Sequence, residues 1–109
     1  MLDYNSNGET QHIFFRIDRY AINDNLAIQM FCKDADGFIE PFASLTVNLD
    51  IILPPNQAYL DTNNLGIEIG MWVENNKLGE YLGEVRQSGY CFYPLFEFDL
   101  EKVQEHGPR

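Results

Sequence analysis

The feature that most constrains this chain is a strict alternation of apolar and polar residues over positions 44–49. Leu45, Val47 and Leu49 alternate there with Ser44, Thr46 and Asn48. Successive side chains of a β-strand point to opposite faces, so this pattern predicts a strand with one buried face. We assign it to a longer strand over Phe38–Leu49.

A second strand signal is aromatic and lies near the end of the chain, over Tyr90–Leu100. Its aromatic run comprises Tyr90, Phe92, Tyr93, Phe96 and Phe98. Such a run could stack the bases of a nucleic acid. Arg86 is the only basic residue nearby, however, so the run favours core packing. Pro94 interrupts the segment and lacks an amide donor, which predicts an edge position or a bulge.

Three further segments show weaker strand patterns: Gln11–Tyr20, Leu26–Lys33 and a short stretch over Glu80–Gln87. The sequence Asp34-Ala35-Asp36-Gly37 follows the second of them. It could begin a calcium loop, but the twelfth position from Asp34 is Leu45 and not Glu, so a hairpin turn is favoured.

One helix is predicted, over Leu65–Asn76, after capping candidates at residues 61–64. Its apolar residues Leu65, Ile69, Trp72 and Val73 fall at helical spacing and should pack against a sheet that contains Leu45 and Val47. The fold expected is α+β, an antiparallel sheet of four to five strands on one main helix, in the order β-β-β-α-β-β. Residues 11–103 would form the single domain, with flexible ends at 1–10 and 104–109.

The chain is strongly acidic, with 17 acidic and 7 basic residues and a net charge of −10. Residues 1–54 hold 8 acids and 3 bases and residues 55–109 hold 9 and 4, so each half carries −5. This charge repels phosphate backbones and anionic membranes, which argues against direct nucleic-acid or membrane binding. A basic protein surface is the natural partner, while the simpler alternative is that the acidity only maintains solubility.

No residue pattern predicts catalysis, a cofactor or a metal. Cys32 and Cys91 form no CxxC motif, and with no signal peptide they are expected to be free thiols in the cytoplasm. His12 and His106 have no metal-ligand spacing. We therefore expect a protein that is not an enzyme.

The acidic residues of the last strand form the candidate binding site. Glu97, Asp99 and Glu101 alternate with apolar residues, which would place their carboxylates on one face at a pitch of about 6.8 Å. Such a row would suit a groove built for nucleic acid, and Glu80 and Glu84 on the preceding segment would extend it. The alternative is an ordinary solvated face.

Three segments, Ala43–Leu49, Ala58–Asn64 and Ser88–Phe98, together resemble a family of short acidic proteins of unknown function. That family is carried by plasmids and conjugative elements of Gram-positive bacteria. Proteins from such elements include inhibitors of type II CRISPR–Cas immunity. The resemblance implies an anti-CRISPR protein that binds Cas9 and interferes with guide RNA or DNA engagement. The alternatives are an accessory or regulatory protein of a mobile element with another basic partner and, least favoured, a small enzyme.

Overall fold

The structure is a computed structural model that describes residues 1–107, so the last two residues of the predicted tail lie outside the described part. The strands are β1 (Leu2–Ser6), β2 (Glu9–Arg19), β3 (Leu26–Lys33), β4 (Ile39–Ser44), β5 (Thr46–Val47), β6 (Gln57–Leu60), β7 (Gly79–Ser88) and β8 (Cys91–Phe98). The helices are α1 (Thr62–Leu65), α2 (Ile69–Asn75) and α3 (Leu100–Gln104).

The strands form two antiparallel sheets of four strands, with the orders β1-β2-β3-β4 and β5-β6-β8-β7. The α+β class and a four-stranded antiparallel sheet are therefore confirmed. The predicted order β-β-β-α-β-β is not observed, and three short helices replace the one main helix.

The first sheet follows the sequence pattern closely at its centre. β3 has the predicted bounds, and Ile13, Phe15 and Met30 are buried in register across β2 and β3. The predicted hairpin turn is also present: the Asp34 carboxylate accepts hydrogen bonds from the amides of Asp36 and Phe38 at 2.9 Å.

The first ten residues differ from the expected loose segment. β1 pairs with β2 from Leu2 opposite Ile13 to Ser6 opposite Glu9, around a turn at Asn7 and Gly8. Both turn residues have positive φ, 52° and 81°, which is the backbone that an Asn-Gly hairpin requires. The polar composition of the segment concealed this turn signal.

The predicted strand Phe38–Leu49 is divided between the two sheets. Leu45 lies between β4 and β5; its amide donates to the Ile28 carbonyl at 2.9 Å, and its own carbonyl accepts from the Asp61 amide at 3.0 Å. The chain thus crosses from one sheet to the other at Leu45. As a result Leu45 lies in the main core, whereas Val47 packs against a second cluster, so the expectation of a shared face is wrong.

The predicted helix Leu65–Asn76 is interrupted. Gly66, with φ 89° and ψ 161°, ends α1, and α2 begins only at Ile69. Ile69 and Val73 are buried, while Leu65 and Trp72 pack against the main core and stay partly exposed.

The main core contains buried residues from both sheets and from α2 and α3, among them Ile13, Leu26, Leu60, Ile69, Phe96 and Val103. A smaller cluster comprises Leu49, Tyr59, Tyr93 and Leu95. Because Tyr93 and Leu95 alternate with Phe96 and Phe98 along β8, the smaller cluster lies on the opposite face of the second sheet.

The end of the described chain is attached to the first sheet. Asp99 caps α3 by accepting a hydrogen bond from the Lys102 amide at 3.2 Å. Beyond the helix, the His106 carbonyl accepts from the Phe15 amide at 3.0 Å. Part of the predicted flexible tail 104–109 therefore pairs with β2. Within residues 1–107, no helix has both the length and the apolar character needed to cross a bilayer.

Candidate binding surface

The β7–β8 hairpin presents a continuous apolar face that the helices cover only in part. Tyr81 pairs with Phe96, and Val85 pairs with Pro94 beyond a register shift, so these side chains share one face. Phe96 is buried under α2, where a Cβ on Gly70 would lie 3.1 Å from its ring. Pro94 pairs with Val85 at a register shift whose extra residues lie in β7, between Tyr81 and Val85, and not in the strand of Pro94 itself. β8 lies between β6 and β7, so the alternative of an edge strand is wrong.

The uncovered part of this face forms a groove of about 610 Å³ between the hairpin and the helices. We call it the apolar groove; its apolar lining comprises Ile67, Met71, Tyr81, Val85, Phe92 and Phe96. Ile67 is 87% exposed, Met71 65% and Phe92 59%. Isolated exposed apolar residues are ordinary, but a contiguous group of them marks an interaction site.

Hydrogen bonds hold both walls of the apolar groove in place. The Thr62 hydroxyl at the start of α1 donates to the Phe92 carbonyl at 3.0 Å. At the other end, the Glu74 carboxylate on α2 accepts from the Tyr81 amide at 3.2 Å. The groove is therefore a fixed feature of the fold, since its walls are tied to its floor.

An acidic cleft of about 450 Å³ adjoins this groove. It is lined by Glu74, Lys77, Glu80, Glu97 and Asp99, together with Gly79 and Phe98. Glu80 and Glu97 are direct cross-strand partners, and the Gln57 amide group lies 3.5 Å from the Glu97 carboxylate. Like charges placed directly opposite each other destabilise a sheet, so this pair does not favour folding.

The structure brings together three of the five carboxylates that the sequence predicted as binding residues. Glu80, Glu97 and Asp99 line the acidic cleft. Glu84 lies elsewhere, where it accepts a hydrogen bond from the Tyr59 hydroxyl at 3.3 Å. Glu101 is exposed on α3 and does not line the cleft.

The predicted row of carboxylates along one strand is wrong. β8 ends at Phe98, so Asp99 and Glu101 belong to the cap and first turn of α3. The sequence showed alternation through residue 101 but did not show that a helix begins at Leu100. The partner-binding role of these residues stays a prediction.

Sequence reasoning missed the apolar groove itself. It assigned the aromatic run of β8 to the core, and Tyr93, Phe96 and Phe98 are indeed buried, but Tyr90 and Phe92 are exposed. A signal was present in α2: Met71 lies off the buried face formed by Ile69 and Val73 and is nevertheless apolar.

Of the two cysteines, Cys91 is among the residues that line the apolar groove, whereas Cys32 is not. Cys32 is buried in the main core, and burial raises the pKa of its thiol, with a further contribution from the charges of Glu40 and Asp34. Cys91 is half-buried and packs against the smaller cluster. Among residues 1–107, no group of three or more His, Cys, Asp or Glu side chains is arranged to hold a metal ion.

Residues 14–109 match a domain of unknown function, DUF4313. The chain belongs to this family. Comparisons with curated proteins and with solved structures find no match. The family description names no activity, and the groove and the cleft are the features of the structure that bear on function.

Proposed function

We propose that the chain is a non-enzymatic, cytoplasmic binding protein that docks onto a basic partner protein through the apolar groove. The observation that carries this proposal is the contiguous exposed apolar lining of the groove, next to a cleft with four carboxylates and one Lys. Apolar area supplies affinity on binding, and complementary charge speeds and orients the encounter.

The charge of the chain supports a basic partner. At a net charge of −10, the protein repels anionic membranes and nucleic acid and attracts surfaces rich in Lys and Arg. The opposed Glu80 and Glu97 support the same conclusion, because two like charges directly opposite each other repel and a nearby cation would reduce that repulsion.

The narrower hypothesis is that this partner is Cas9 and that the protein is an anti-CRISPR inhibitor from a conjugative element or plasmid. It depends on the three resembling sequence segments and on the fit between an acidic surface and a basic nucleic-acid channel. An immunity assay with and without the gene tests it. Restored phage or plasmid entry supports inhibition, whereas unchanged immunity favours an accessory protein that uses the same groove on another basic partner.

The wider proposal is tested by cross-linked capture with paired variants. Met71→Ser with Phe92→Ser removes two exposed apolar side chains from the groove. Ile22→Ser with Phe38→Ser removes two others, 93% and 70% exposed, from outside it. We expect a basic protein to be captured by the wild type and the control and lost from the groove variant. Equal capture by all three proteins would contradict the proposal.

A further inference from the structure

The outer face of the first sheet carries two phenylalanine rings, each covered by a cation. Phe14 and Phe31 are direct cross-strand partners on β2 and β3. Phe15, the next residue after Phe14, points into the main core, so the two rings lie on the opposite face of the sheet. The guanidinium carbon of Arg16 lies 5.2 Å from the centre of the Phe31 ring, and the ammonium nitrogen of Lys33 lies 5.6 Å from that of Phe14.

These two cations have no carboxylate partner, although the chain has 17 acidic residues. Both side chains are exposed, and within residues 1–107 neither of them forms an ion pair. The two acids on the same face already have contacts of their own. Asp3 contacts the His12 ring at 2.8 Å, and Asp18 accepts a hydrogen bond from the Arg19 amide at 2.8 Å. The two cations can therefore bind an acid that comes from outside the chain.

We infer that this face is a second docking surface, which binds a short acidic segment of a partner protein. We call it the cationic face and define it by Phe14, Arg16, Phe31 and Lys33. Asp or Glu side chains of the segment contact the two cations, and the rings beneath hold the cations in place. The inference goes beyond the proposed function and does not depend on it, because the groove and the cleft lie at the second sheet and its helices.

The rings give two flexible side chains a defined position before binding. A cation within about 6 Å of a ring centroid is attracted by the negative face of the ring. Long side chains lose rotamer freedom when they are immobilised in an interface, and side chains that are already ordered lose less. The planar guanidinium of Arg16 also matches the two oxygens of a carboxylate, so it can donate two parallel hydrogen bonds to one Asp or Glu.

The burial of the rings favours carboxylates over a nucleic acid as the ligand. Single-stranded nucleic acid stacks its bases on open aromatic faces. Phe14 is only 9% exposed, and a cation lies over each ring, so no open face is offered to a base. The net charge of −10 also opposes a long row of phosphates. A short segment meets less repulsion, because physiological salt screens charges that lie more than about 8 Å away.

The test uses designed peptides as probes of this chemistry. The main probe is a fluorescein-labelled peptide of about eight residues in which Glu alternates with Ser, long enough to span the face when extended. A second peptide has Gln in place of Glu, and the third probe is a labelled oligothymidine of eight nucleotides. In fluorescence anisotropy at about 0.15 M salt, we expect the Glu peptide to bind about tenfold or more tightly than either of the other probes.

Matched protein variants locate the site. Arg16→Gln with Lys33→Gln removes both cations from the face, and Arg86→Gln with Lys102→Gln removes the same charge elsewhere. We expect the first variant to raise the Kd of the Glu peptide by about tenfold and the control to stay within about twofold of the wild type. Arg16→Lys keeps the charge but loses the planar fork, so its Kd should rise by a smaller factor, about threefold. Circular dichroism and melting curves establish that all variants fold.

Each outcome supports or overturns the inference. Loss of the Glu peptide by the face variant alone supports it, and unchanged capture of the basic partner by that variant shows that the two surfaces are separate. Absence of binding at about 1 mM peptide, or equal loss in the control, overturns it. An oligothymidine that binds more tightly than the peptide would assign the face to nucleic acid. Concentration-dependent oligomers that the face variant abolishes would assign it to a second copy. Either result would also overturn the inference, and neither would affect the proposed function of the groove.

Discussion

Trp72 illustrates how one side chain joins segments that are far apart in sequence. Its indole N–H donates to the Asp3 carbonyl at 2.9 Å, and its ring meets Tyr4 edge-on with centroids 5.1 Å apart. The ring also packs against Phe15 at 6.0 Å. Trp72 therefore holds β1 against α2 while part of its surface remains in contact with solvent.

Substitution of Trp72 should reveal both contributions. We expect Trp72→Phe to lower the free energy of unfolding by about 1 kcal/mol, because it loses only the hydrogen bond. Trp72→Ala should lower it by about 2–3 kcal/mol, less than the roughly 3–5 kcal/mol of a fully buried ring. Met71→Ala is the control and should change stability by less than about 0.5 kcal/mol. Urea unfolding measures all three, and a Trp72→Ala variant as stable as the control would contradict this account.

His106 makes folding depend on pH. Its pKa lies below the ordinary value of 6.5, chiefly because the ring is partly buried, and the Met1 amine and Lys102 lower the pKa further. The unfolded chain thus takes up this proton at a higher pH than the folded chain does. The stability that a neutral His106 supplies is present above pH 6.5 and is lost as the pH falls towards the folded pKa.

The corresponding experiment is a set of unfolding curves from about pH 7.5 to about pH 5.5. This range lies above the pH at which most carboxylates titrate. We expect the free energy of unfolding to decrease over this range in the wild type and to decrease less in His106→Gln. An identical pH profile for the two proteins would show that His106 is not the group responsible.

Among the secondary-structure elements, the break between α1 and α2 has the clearest local cause. Gly66 adopts φ 89° and ψ 161°, a backbone region that is essentially reserved for glycine. A Cβ at this position would have nothing within 4 Å, so the constraint is conformational and not steric crowding. This break turns the chain so that Ile67 and Met71 line the groove.

Gly66→Ala should therefore destabilise the protein by about 1–3 kcal/mol through backbone strain alone. Asn63→Ala, an exposed substitution in the preceding helix, serves as the control. Thermal or urea unfolding measures the difference. Stability of Gly66→Ala equal to that of the control would mean that α1 and α2 can join into the single helix that the periodicity of residues 65–76 predicts.

The elements that sequence reasoning found are those whose cause is local. β3 has apolar residues at alternate positions and a hairpin turn directly after it, and its bounds were predicted correctly. β6 has four residues and follows Pro54 and Pro55, so neither length nor periodicity indicated it. The crossing at Leu45 depends on hydrogen bonds to Ile28 and Asp61, which are distant in sequence. An alternating pattern cannot show such a change of sheet.

At the scale of the whole molecule, the amino-acid composition gives the net charge, but it does not predict the shape of the surface. Glu80, Glu97 and Asp99, which the sequence suggested as binding residues, line one cleft of the structure, and their role in partner binding stays a prediction. α2 covers only part of the face of β7 and β8, and this mismatch leaves the apolar groove open. That mismatch depends on tertiary packing, so Phe92 was assigned to the core although its neighbours in space leave it open.

The proposed docking surface is tested directly by a backbone amide chemical-shift map of the labelled protein, recorded as a helical peptide with Leu on one face and Lys beside it is added. We expect the shifts to concentrate in residues 67–74 and 81–96, with Met71 and Phe92 among the most affected. Exposed acids of the first sheet and its turns, such as Asp18 in β2 and Asp36 between β3 and β4, should change little. Shifts spread over all acidic surfaces, or concentrated in the first sheet, would contradict the assignment of the apolar groove as the binding surface.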